Sequence, residues 1–129
     1  MPTTQKIRYS DCDPQGIVFN ANYARYWDDA ITDWFEELGF AGTELGGIAV
    51  DVVTARLEID FKAAAKLGDT LVTKVAVDRF GATSMTVLVT TSREPDGLTV
   101  AVGRAVYVFV NPADFRPTAV PESFREAVS

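Results

Sequence analysis

Two aspartates flank a lone cysteine in the stretch SDCDPQGIVFNANY, residues 10–23, and the 129-residue chain contains no histidine. That combination narrows the chemistry. A Ser-His-Asp triad, a Cys-His pair and a His-bearing zinc site are excluded, and one cysteine cannot build a thiolate cage around a metal. Acid–base or nucleophilic work must fall to Asp, Glu, Tyr, Lys, Ser, Thr or Cys12. Cys12 has no histidine to activate it and reads as a small buried side chain. Asp13-Pro14-Gln15-Gly16 makes a good β-turn by itself, with Asp in the first position and Pro in the second. Asp11 could serve as a second carboxylate beside Asp13, but reads better as a solvated turn residue.

The elements that must position these groups follow from periodicity. Gln5 to Ser10 reads as a short strand ended by the Asp11–Gly16 turn. Residues 20–38 form the one clear helix: Tyr23, Tyr26, Trp27, Ala30, Ile31, Trp34, Phe35 and Leu38 recur at steps of three and four. Asp28, Asp29, Asp33, Glu36 and Glu37 fall mostly on the opposite side. Asn20 or Asn22 suits the N-cap and Gly39 the C′ position. The aromatic stripe reads as core and must lie against a sheet or another helix.

The rest is strand-like. In VTARLEIDFK, Ala55, Leu57, Ile59 and Phe61 alternate with charged residues. A turn at LGDT leads into strands over Leu71–Phe80 and Thr83–Arg93, joined at Gly81-Ala82. Glu94-Pro95-Asp96-Gly97 is a strong turn signal. A final strand spans Leu98–Asn111, and a polar tail ends in a short helix. Short links between successive strands favour an antiparallel sheet, so the expected class is α+β in a single domain over residues 1–129. The last strand is apolar on both faces for much of its length, which points to cover by a partner subunit.

Composition sets further bounds. Hydrophobic residues make up 47% and charged residues 23%, a folded globular balance. The net charge of −6 argues against general nucleic-acid binding, which needs a basic stripe. No stretch approaches the ~20 apolar residues of a membrane helix. A single cysteine permits no intrachain disulfide and suits a reducing compartment, so a cytoplasmic protein is expected.

The segment D-x-D-P-x-G-I-V-F-x-x-N-Y, following a strand and running straight into a long helix, resembles the 4-hydroxybenzoyl-CoA thioesterase family of hotdog-fold acyl-CoA thioesterases. The order strand, long helix, LEIDFKAAAKLGDTL and three antiparallel strands extends the resemblance over most of the chain. It implies a curved antiparallel sheet of about five strands wrapped around one central helix. It also implies a homodimer or a tetramer built as a dimer of dimers, with active sites at the subunit interface. It further implies hydrolysis of an acyl-CoA, with Asp13 as the catalytic carboxylate, nucleophile or general base, and the backbone N–H of Asn20 as oxyanion donor. Gly16, Ile17, Val18, Phe19, Asn22 and Tyr23 are the expected substrate-binding positions. At Asn20 the chain departs from its relatives, which often carry histidine or tyrosine there.

Neither route for the carboxylate calls for a metal or a cofactor beyond the coenzyme A of the substrate itself. Coenzyme A carries phosphates, for which Lys62, Lys66, Arg79, Arg93 and Arg104 are candidates, with Arg79 chosen among them. The acyl group stays open between aromatic, short-chain and branched. Alternatives are a non-catalytic acyl-binding hotdog module and a thioesterase acting on an acyl carrier protein. A hotdog dehydratase ranks low because it would need a histidine.

Overall fold

The aromatic stripe of the long helix is covered by a sheet. The structure, a computed structural model, describes residues 2–42 and 44–128. Helix α1 (Asn22–Glu37) buries Tyr23, Tyr26, Trp27, Ala30 and Ile31 and exposes its acidic residues. After it come an irregular turn, α2 (Glu44–Gly47), four strands and a terminal helix, α3 (Glu122–Val128). With β1 (Thr3–Lys6), the strands β2 (Asp51–Phe61), β3 (Thr70–Phe80), β4 (Ser84–Glu94) and β5 (Thr99–Val110) form one sheet in the order β1-β3-β4-β5-β2. Every neighbouring pair is antiparallel.

Period two decides which face meets the helix. Val87, Val89 and Thr91 of β4 and Ala101, Ala105, Tyr107 and Phe109 of β5 are all buried in the core that includes Tyr26 and Trp27. One polar chain crosses this interface. The Trp27 Nε1–H donates to Thr91 Oγ1 at 2.9 Å, and Thr91 shares a 2.9 Å hydrogen bond with Thr73 of β3. Register shifts at Thr54/Arg56 in β2 and at Val77/Arg79 in β3 mark bulges, which sharpen the twist of a sheet. The result is the expected α+β architecture, a curled five-stranded half-barrel around one helix.

Four features differ from the sequence reading. The first strand stops at Lys6, and Tyr9–Asp11 forms a 3₁₀ turn. Its cause is Asp11, whose carboxylate accepts the N–H of Arg8 at 2.8 Å and bends the chain back on itself. The helix begins at Asn22 rather than Asn20, and its N-cap is Ala21, with no side-chain cap. Strand β5 is flanked by β4 and β2, so both its edges are covered within the chain, and the unpaired edges belong to β1 and β2. The tail is no polar appendage: Phe124 of α3 is fully buried among Trp34, Phe35, Phe40, Phe80 and Phe109.

Candidate active site

The loop between β1 and α1 is a narrow double-back. Cys12 pairs with Val18 across it, and Ile17 pairs with Lys66 on its outer side. At its tip the N–H of Gly16 bonds the Asp13 carbonyl at 2.9 Å, and the Asp13 N–H bonds the Ile17 carbonyl at 2.9 Å. Gly16 has φ +79, a left-handed conformation that side-chain-bearing residues rarely adopt, so the turn requires glycine here. Asp13 Oδ1 accepts the N–H of Gln15 at 2.9 Å, an Asx turn that aims the carboxylate. Among the described residues Asp13 Oδ2 carries no hydrogen bond.

The helix start supplies the complementary polarity. The N–H groups of Asn22 and Tyr23 close onto the carbonyls of Phe19 and Asn20. Those of Asn20 and Ala21 carry no hydrogen bond among the described residues. Such free donors, at the positive end of the helix dipole, favour negative charge. The Asn22 side chain does not cap the helix. Its Nδ2–H donates to the Asp11 carbonyl at 2.8 Å and staples helix to loop.

Asp11 is not the solvated turn residue the sequence suggests. It is 5% exposed, and its Oδ1 accepts from the Arg25 guanidinium at 2.7 Å. Burial works against its charged form. The Arg8 N–H and the Arg25 guanidinium outweigh burial and hold its pKa below the ordinary carboxylate value. The Tyr26 hydroxyl is buried near the same carboxylate without a well-formed hydrogen bond, and burial, then the charge of Asp11, pushes its pKa well above that of a free phenol. Cys12 is half-buried, with its thiol 3.6 Å from the Arg8 carbonyl.

Two cavities flank this loop. One, of about 410 Å³, is lined by Tyr9, Cys12, Asp13, Pro14, Gly16 and Leu67. The other, of about 360 Å³, has Ile17, Val18, Asn20, Tyr23, Phe61 and the run Lys62–Ala65 around it. Asp13 and Gly16 thus open to one side, and Ile17, Val18, Asn20 and Tyr23 to the other. Burial, and secondarily the charge of Asp69, raises the pKa of Tyr23. Phe19 is exposed and Asn22 half-buried, and neither lines either of these two cavities.

Of the cationic candidates, Lys62 lines the second cavity and Lys66 pairs with Ile17 at its border. Arg93 is spent on Asp96 and on the Ala64 carbonyl, at 3.0 and 2.6 Å. Arg104 faces Glu58 at 3.5 Å. Arg79 pairs with Thr86 near the far end of β3, about 30 Å along the strand from Thr70 at ~3.4 Å per residue, so one subunit does not bring it to the loop. Sequence reasoning did not single out Tyr9, Leu67, Phe61 and Ala63–Ala65 as lining residues. The three alanines were the available signal, because the Val18 N–H reaches the Ala65 carbonyl at 2.8 Å and small side chains permit that approach. Among the described residues no group of three or more Cys, Asp or Glu side chains is placed to hold a metal ion.

Residues 7–128 match the family model of the thioesterase-like superfamily. The chain belongs to this superfamily. The acyl-CoA thioester hydrolase YbgC of Escherichia coli is 27% identical over 120 residues, 92% of this chain and 87% of its own. The PA2801 protein of Pseudomonas aeruginosa is 28% identical with a TM-score of 0.88, covering 99% of this chain and 97% of that one. The gentisyl-coenzyme A thioesterase BH1999 has the same fold, with a TM-score of 0.88 at 24% identity and full coverage of both chains. This thioesterase-like protein is a hotdog-fold enzyme of the thioester hydrolase class. No helix among its described residues is long and apolar enough to cross a membrane.

Proposed function

We propose that this thioesterase hydrolyses an acyl-CoA to a carboxylic acid and coenzyme A, with Asp13 as the reacting carboxylate. One observation carries the reading. Among the described residues, a single loop presents a carboxylate oxygen free of hydrogen bonds, and the helix start it leads into presents two free N–H donors, at Asn20 and Ala21. On this reading the thioester carbonyl lies between the Asp13 carboxylate and these N–H groups. As nucleophile, Asp13 bonds to the carbonyl carbon and the carbonyl oxygen becomes an oxyanion held by the Asn20 N–H. The C–S bond then breaks, coenzyme A leaves as thiolate, and water cleaves the mixed anhydride. As general base, Asp13 instead takes a proton from the water that attacks. An oxyanion-hole donor of this kind is worth about 3 kcal/mol. Both routes use only the carboxylate and backbone amides of this chain.

Val18, Tyr23 and Phe61 provide apolar walls that suit an aromatic or short acyl group. Lys62, which lines the second cavity, and Lys66, which pairs with Ile17 of the loop, are the candidate cations placed at the site for the phosphates of coenzyme A. The unpaired outer side of β2 supports a homodimer. Phe61, at the end of that edge strand, is 52% exposed while lining the second cavity, so a second subunit along β2 would close the site.

Thiol release from aromatic, short and long acyl-CoAs, run with wild type and Asp13→Asn, tests the reading. Turnover of one class that is lost in the variant supports it. Turnover that survives moves the chemistry to another residue. Release from an acylated carrier protein, with none from any acyl-CoA, changes the substrate. Label found in Asp13 after single turnover in ¹⁸O-water identifies the anhydride route, with water attacking the Asp13 carboxyl carbon.

A further inference from the structure

The least expected residue of the loop is Asp11, a charged side chain buried at the narrowest point of the double-back and absent from both cavity walls. Four hydrogen bonds converge on it. Its carboxylate takes the Arg8 N–H at 2.8 Å on one oxygen and the Arg25 guanidinium at 2.7 Å on the other. Its carbonyl takes the Phe19 N–H at 2.9 Å and the Asn22 side-chain amide at 2.8 Å. These partners are the residue that caps the 3₁₀ turn after the first strand, the return arm of the loop, the first residue of α1 and a residue one turn further on. Asp13 stands two residues from this knot on one arm, and Asn20 and Ala21 lie between two of its partners on the other.

We infer that Asp11 is a positioning residue for thioester hydrolysis: by tying Arg8, Phe19, Asn22 and Arg25 together, it sets the Asp13 carboxylate against the Asn20 and Ala21 N–H groups. The inference rests on the hydrolytic reading above. A buried carboxylate persists where its charge is paired and hydrogen-bonded, and here that pairing spans the pieces whose relative placement the reaction needs. Arg25 is held in turn, since its guanidinium lies 5.1 Å from the Tyr26 ring centre on the side open to solvent. Misplacement of reacting groups by about 1 Å can cost about 100-fold in rate, so loosening the knot should act on turnover more than on binding.

The test compares Asp11→Asn, Arg25→Ala and Arg25→Lys with wild type, using kinetics on the best acyl-CoA and hydrogen exchange at the Phe19 and Asn22 amides. Asn keeps the shape and an acceptor for the Arg8 N–H but removes the charge that holds Arg25. The expected result is a fall in kcat of about 10- to 100-fold in Asp11→Asn with KM within about twofold. The same variant should exchange the Phe19 amide faster. Arg25→Ala should show a smaller fall, and Arg25→Lys should recover most of it. In an Asp13→Asn background, Asp11→Asn should reduce the residual turnover no further, because there is no carboxylate left to misplace.

A wild-type kcat in folded Asp11→Asn overturns the role, and so does a loss confined to KM or an unchanged Phe19 exchange rate. If Asp11→Asn fails to fold, the Arg25 pair decides: equal kcat in the alanine and lysine variants overturns the role, and recovery by lysine upholds it. If wild type releases thiol from no acyl-CoA while Phe19 exchange still quickens in the variant, the hydrolytic reading falls and the knot stands.

Discussion

The two ends of the half-barrel are held by opposite means. At one end Phe124 is fully buried, and five other rings lie around it with centroids 5.1 to 6.3 Å away, most of them edge-on. A charge at this end, Arg125, lies over the Phe80 ring at 5.0 Å and donates to the Gly81 carbonyl at 2.7 Å, outside the ring cluster. At the other end Asp11 is equally enclosed but held by hydrogen bonds from Arg8 and Arg25 and, on its carbonyl, from Phe19 and Asn22. Aromatic packing is broad and forgiving of small shifts, and its strength grows with buried area. Hydrogen bonds to a buried charge are short and directional, so they fix atoms at the cost of burying that charge. A hydrolase can use the first to stay folded. On the proposed mechanism it needs the second where the Asp13 carboxylate and two amide donors stand in register.

The sharpest way to separate the ends is to strike each. Asp13→Asn should lower turnover by roughly 10²- to 10⁴-fold while the melting temperature stays near wild type. Thermal unfolding run beside the thiol-release assay checks both halves of that statement. Phe124→Ala should do the reverse: about 3–5 kcal/mol of stability lost in a urea titration, with turnover per folded molecule close to wild type. Comparable losses of turnover in the two variants would erase the distinction.

A position on the sheet between the two ends should move both readouts. Gly103 of β5 sits where a Cβ would meet the Glu58 carbonyl oxygen at 1.9 Å, opposite Ile59 and two residues from Phe61. Gly103→Ala should therefore push β2 away, cost about 1–3 kcal/mol by overpacking, and disturb the Phe61 wall enough to raise KM. An unchanged KM with a large stability loss would detach β2 from the site.

The smallest effect is a pH dependence at the polar end. The fold holds Asp11 ionised more firmly than the unfolded chain does, since its pKa is lowered. Its stabilisation is therefore fully present above the unfolded value of about 3.9 and lost as pH falls through the lower folded value. The stability gap between wild type and Asp11→Asn, measured by denaturant titration from pH 7 to pH 3, should be flat above about pH 5 and close toward pH 3. A gap that widens on acidification would contradict the assignment of the charge.

Much of this architecture was legible in the residues. The spacing of Tyr23, Tyr26, Trp27, Ala30 and Ile31 makes a helix with one buried face, and the alternation in β2 makes a strand, because both patterns are set by local backbone geometry. The turn at Asp13–Gly16 was equally legible, since Pro14 and Gly16 act within four residues. The role of Asp11 was not. Its partner Arg25 lies 14 residues away, and both are polar residues that a sequence places by default in solvent. Asn22 was read as a cap for the same reason: its side chain finds a carbonyl eleven residues upstream that only the folded loop brings within reach. The tail hid its one large buried side chain, Phe124, in a polar context.

What the sequence alone determined is the set of elements, the turn that carries Asp13, and the absence of any histidine-based chemistry. Tertiary structure alone decided that β1 and β2 are the open edges, that Arg79 lies far from the loop, and that the neighbouring aspartate is buried and paired. The division has a physical basis. Periodicity and turn chemistry act over a few residues and leave their mark in order along the chain. Sheet order, the burial of a charge and the freedom of an amide hydrogen depend on groups that meet only when the chain has closed on itself.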